Sequence, residues 1–131
     1  MSVKHFIPSI VWVLLIFAAI GMPPEPIKQL GIWEIPHLDK IVHTVLFFVF
    51  AVLNSYGASR QNFPGTAPWY IYLTVFALGI IIGGTTELYQ LYFVPGRTAS
   101  ISDMLFNIFG TIFGVFVWVL YLRINGKNIF G

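Results

Sequence analysis

The sequence predicts an all-α integral membrane protein, one domain over residues 1–131 built as a bundle of four transmembrane helices. Charged residues make up 9% of the chain and apolar residues 57%. A soluble domain carries about a quarter charged residues, so most of this surface must face lipid. Four stretches approach the roughly 20 apolar residues that a helix needs to cross the hydrocarbon core. The segments between them are punctuated by proline and glycine, as connections should be.

The first span runs from about Phe6 to Met22. Pro23, Pro24 and Pro26 end it, because proline lacks an amide donor and restricts the residue before it. Lys4, the apolar stretch and Ala18-Ala19 also look like a secretory signal, but the stretch is long and has no small-x-small site, so it is read as a retained span. The second span covers about Ile41–Tyr56 and could begin nearer Asp39. After the turn at Asn62-Phe63-Pro64-Gly65, the third runs from about Trp69 to Val94, long enough to tilt. Val94-Pro95-Gly96-Arg97 separates it from the fourth, about Ile101–Leu122, for which Ser100 or Ser102 is the expected N-cap. Trp33, Trp69, Tyr70, Tyr92 and Tyr121 fall near span ends, where interfacial anchors or ordinary packing aromatics are both expected.

Composition excludes several classes. Without cysteine there is no disulfide framework, thiolate metal site or cysteine nucleophile. With no Lys/Arg run and a net charge of +2, no nucleic-acid partner is expected. An N-in/C-in arrangement puts Lys4, Arg60, Arg123 and Lys127 inside, against Lys28, Lys40 and Arg97 outside, so the positive-inside rule favours it by one residue. The expected location is the cytoplasmic (inner) membrane.

Ionisable groups within a membrane are costly and tend to be paired and functional. Here they converge. Asp39 and His43 share one face near the start of the second span. Glu87 and Gln90 share a face near the end of the third. Asp103 and Asn107 do the same at the start of the fourth, with Gly110 and Gly114 continuing along that side and permitting close helix contact. Arg97 lies in the short loop above. Whatever the orientation, Asp39, His43, Glu87, Gln90, Asp103 and Asn107 gather at one membrane face. Glu87, two turns inside its helix, needs a partner, for which Arg97 and His43 are the candidates. Each residue also has a plainer reading: interhelical hydrogen bonding for His43, helix-dipole placement for Asp39 and Asp103, headgroup anchoring for Lys40 and Arg97.

Taken in order, Asp39-Lys40-x-x-His43, Thr86-Glu87-x-x-Gln90, Gly96-Arg97 and Asp103-x-x-x-Asn107-x-x-Gly110-x-x-x-Gly114 resemble the VanZ-like family of small bacterial membrane proteins. The resemblance covers Asp39 to Gly114; the first span and the tail match by hydropathy alone. It implies a cell-envelope membrane protein, and the family's name comes from an accessory factor in resistance to teicoplanin.

Two functions compete on these residues. In one, the chain binds a membrane lipid, a lipid-linked glycan, a glycopeptide or a partner protein without catalysis. In the other it is an enzyme on an envelope lipid or lipid-linked glycan, with a link to teicoplanin-type resistance. His43 would then be the general acid or base, oriented by Asp39 or Asp103, and Glu87 the second acid–base group. Arg97 would hold a phosphate or carboxylate, with Gln90, Asn107 and Lys40 completing the binding site. No cofactor is assigned; a divalent cation on His43 and the carboxylates is a variant, magnesium or manganese before zinc for want of a second histidine. Transport is a third reading, set against by the scarcity of polar side chains in the other half of each helix.

Overall fold

The computed structural model describes residues 3–24, 29, 37–61 and 68–125. Trp33, Glu25, Glu34, Lys28, Lys127 and the Asn62–Gly65 turn fall outside them. After a 3₁₀ turn at Val3–Phe6 come α1 (Ile7–Ile20), α2 (Leu38–Ser59), α3 (Pro68–Phe93) and α4 (Ile101–Ile124), with no strand among the described residues. All four helices are long and apolar enough to cross a membrane, the first counted from Val3.

The helix α1 stops at Gly21, ahead of the prolines, because its C-terminal turn lies against α3. A Cβ on Gly21 would stand 2.7 Å from the Phe17 carbonyl and 2.9 Å from the Tyr89 hydroxyl. At its other face Trp12 Nε1 donates to the Leu46 carbonyl of α2 at 2.9 Å. Ile16 and Ile20 are buried with Phe47 and Phe50 in the apolar core, so the first span is an integral part of the bundle.

Helix α2 extends three residues beyond the expected span at each end. Its N-cap is His37, with φ 61°, a left-handed conformation that histidine tolerates better than most residues. The extra first turn brings Asp39 and Lys40 into the helix, and Thr44 Oγ1 closes onto the Lys40 carbonyl at 2.9 Å. The central position of α2 shows in its burial, the highest of the four spans.

The closest approach in the bundle is α2 against α4. A Cβ on Gly110 would overlap the Thr44 carbonyl, and one on Gly114 would lie 2.5 Å from the Phe48 carbonyl and 2.8 Å from Ala51 Cβ. The expected glycine seam is thus a backbone-to-backbone contact. Outside it, α4 turns Ile101, Leu105, Phe109, Ile112 and Phe116 outward, the lipid-facing stripe of a membrane helix. Trp69, Tyr70, Tyr92 and Tyr121 are exposed near helix ends, where amphipathic rings meet the headgroup region.

Candidate functional site

At the end of the bundle where α1 and α3 finish and α2 and α4 begin, the polar residues meet as their spacing requires. His43, Glu87 and Asp103 are all buried, and one ligating atom from each lies within 4.8 Å of those of the other two. Three helices supply one residue apiece.

The helix spacings explain the rest. One turn along α4 from Asp103, Asn107 is fully buried and its Oδ1 lies 2.8 Å from His43 Nδ1. With Oδ1 accepting, Nδ1 is the donor of this bond, and Nε2 is left for another partner. The sequence leads one to expect Asp39 or Asp103 as the group orienting the imidazole; Asn107 takes that place, because α4 is pressed against α2 through Gly110. Asp39 and Asp103 instead share Lys40, whose Nζ reaches Asp39 Oδ2 at 2.9 Å and Asp103 Oδ1 at 3.2 Å.

The hydrogen bond to Glu87 comes from neither expected partner, although His43 stands within 4.8 Å of it. Its Oε2 accepts from the Ser100 backbone amide at 2.9 Å, while Ser100 Oγ accepts from the Asp103 amide at 3.3 Å. Ser100 is therefore the N-cap of α4. In a capping box, the third residue of a helix reaches back to the N-cap amide. Here Glu87 performs that half of the box from another helix, and its charge sits at the positive end of the α4 dipole. Its Oε1 is buried and has no hydrogen-bond partner. Asn107 Nδ2 is in the same position.

Gln90, expected beside Glu87 in the binding site, is buried and donates through Nε2 to the Ile20 carbonyl at 3.4 Å, tying α3 to α1. Arg97 sits above the cluster in a turn that needs Gly96 at φ +77°, closed by the Arg97 amide on the Val94 carbonyl at 3.1 Å. Here the geometry opens into a pocket of about 340 Å³ whose lining includes Asp39, Lys40, Arg97, Thr98, Ser100 and Asp103. The pocket carries charges of both signs, and Asp103 forms part of both it and the buried cluster beneath.

The far half of the bundle is less apolar than the sequence suggests. Ser9, Asn54, Ser55 and Gln61 are buried there. Asn54 Nδ2 and Ser59 Oγ each close onto a carbonyl one turn back, and Trp118 Nε1 donates to Ser59 Oγ at 3.0 Å. Uncharged polar groups within an apolar run show no charge signal in the sequence.

The VanZ/LLP1 family model matches residues 3–122. The chain belongs to the VanZ/LLP1 family. Membership extends through α1, correcting the narrower resemblance that begins at Asp39, and agrees with the packing of that helix into the core. The ordered polar set from Asp39 to Gly114 falls within the matched residues. Comparison with curated proteins and with solved structures gives no match.

Proposed function

We propose that this VanZ/LLP1 protein receives the headgroup of an envelope lipid or lipid-linked glycan in the pocket at the outer end of its bundle. It sits in the cytoplasmic membrane with both termini inside. The observation that carries this reading is the two-signed polar pocket at a membrane face, lined by Asp39, Lys40, Arg97, Thr98, Ser100 and Asp103. A phosphate attached to sugar hydroxyls or an amine needs both cationic and acceptor groups. Lys40 and Arg97 suit the phosphate, and Asp39 the donors. Orientation rests on Lys4, Arg60 and Arg123 at the opposite end from Lys40 and Arg97.

Native mass spectrometry of protein extracted in a mild detergent tests the binding. One phosphate-bearing lipid per chain should survive delipidation, and K40Q should release it. Loss of all lipid from the wild-type chain, or equal retention by K40Q, would overturn the reading.

A second reading is catalysis on the bound lipid, favoured by the closeness of His43 to Glu87. Two titratable groups of different type a few ångströms apart can exchange a proton with a substrate. Under this reading H43A and E87Q keep the lipid and abolish its turnover; turnover by either variant would exclude it. Any link to teicoplanin-type resistance would follow from turnover and be read as a change in susceptibility.

A further inference from the structure

We infer that His43, Glu87 and Asp103 form a divalent-cation site, one nitrogen and two carboxylate oxygens deep in the helix bundle. This does not depend on what fills the pocket above. Four observations converge on it.

The first is proximity: one ligating atom from each residue lies within 4.8 Å of the other two. At metal–ligand distances near 2.1 Å, neighbouring ligand atoms stand roughly 3.0–3.4 Å apart. The triad thus needs only side-chain rotation to close on an ion. Glu87 has the length and freedom for it, since one of its oxygens is bonded and the other is not.

The second is that unbonded oxygen. Glu87 is 7% exposed, and its Oε1 is buried with no hydrogen-bond partner. A buried acceptor left empty costs about 1–3 kcal/mol, more if charged, so its persistence asks for a ligand. The third is charge. Lys40 pairs with both Asp39 and Asp103 within 4 Å. The hydrogen bond to Glu87 comes from a neutral amide, so Lys40 by itself does not neutralise the three carboxylates. Buried charge of that kind is offset by pairing or by metal coordination.

The fourth is the setting of the histidine. Ligating histidines are held by a hydrogen bond at the ring nitrogen that does not bind the ion, which fixes the tautomer. Asn107 Oδ1 makes that bond to His43 Nδ1 at 2.8 Å, leaving the Nε2 lone pair for the metal. Asn107 Nδ2 is likewise buried and without a hydrogen-bond partner.

One imidazole with two carboxylates suits manganese, with magnesium weaker for its reluctance to take nitrogen. The test uses the full-length chain in detergent, stripped with chelator, and Mn²⁺ as probe. Titration followed by the electron spin resonance of free Mn²⁺ should show one saturable site per chain. Pulsed measurement on the wild-type complex should show coupling to one imidazole ¹⁴N. E87Q keeps an acceptor for Ser100 and should fold, yet weaken binding at least tenfold; D103N should do likewise, and H43A should also remove the nitrogen coupling. Absence of saturable binding in the wild-type chain overturns the site. So does binding without nitrogen coupling, or binding that E87Q leaves within threefold of wild type while melting temperature and elution volume are unchanged.

Discussion

Substituting Gly114 by alanine separates packing from propensity in this bundle. The added Cβ would lie 2.5 Å from the Phe48 carbonyl oxygen and 2.8 Å from Ala51 Cβ. Carbon pairs rest at about 3.5–4.0 Å, so α4 must retreat from α2 by roughly 0.7 Å or more. Overpacking of this kind costs about 1–3 kcal/mol, and alanine returns about 0.5–1 kcal/mol over glycine within a helix. The net expectation is a loss of roughly 0–2.5 kcal/mol. Gly84 on α3 supplies the control, because a Cβ there meets nothing nearer than Met104 Cε at 4.0 Å. G84A should be neutral or gain up to about 1 kcal/mol. Reversible unfolding in mixed detergent measures both. The consequence reaches the site: His43 Nδ1 and Asn107 Oδ1, 2.8 Å apart, would move toward the limit of a hydrogen bond if α4 shifts as a rigid body. G114A should therefore weaken Mn²⁺ binding as well. If G114A proves no less stable than G84A, α2 and α4 are not in backbone contact and the packing argument fails.

Glu87→Ala should cost about 1.5–3 kcal/mol, the worth of a hydrogen bond to a charged group, whereas E87Q should retain most of it; equal losses in thermal unfolding would remove Ser100 as the partner. A double-mutant cycle between Glu87 and Arg97 should give a coupling under about 1 kcal/mol, because Glu87 Oε2 bonds to the Ser100 amide and Oε1 takes no hydrogen bond from the guanidinium; a coupling several times larger would restore the pair. Since the chain has no cysteine, single-cysteine labelling in intact cells reads topology directly. Position 60 should be protected and position 34 reactive, and an externally labelled position 60 would invert the orientation.

The spans and the polar face were legible because two periodicities coincide in the sequence. Runs of apolar residues set where each helix lies in the membrane, and the i,i+4 pairs Asp39/His43 and Asp103/Asn107 set which face turns inward. Depth followed from counting residues to the loops. Partnership did not, because it depends on the rotation and separation of helices, which hydropathy leaves open. Hence Asn107 rather than a carboxylate meets His43, and Lys40 joins two aspartates. Ser100 was readable as a cap, and Ser100-x-x-Asp103 even has the capping-box spacing. That its backbone amide would be served by Glu87 from another helix has no sequence signature at all. Span ends were short at α2 because Asp39 and Lys40 look like loop residues until their mutual pairing is known. The buried Asn54 and Ser55 were passed over for the opposite reason, as uncharged residues within an apolar run.

The cap that Glu87 places on α4 also bears on how the chain is assembled. Membrane helices insert first and associate afterwards, and lipid offers nothing to an orphan amide. Until α3 lies alongside, the first turn of α4 lacks one acceptor and Glu87 lacks its donor. Each deficit is removed by the other in a single docking step, late in biogenesis, when the last hairpin folds together. A truncated chain ending after α3 would expose a bare carboxylate near the membrane face, a mark by which quality-control proteases could distinguish unfinished from finished protein.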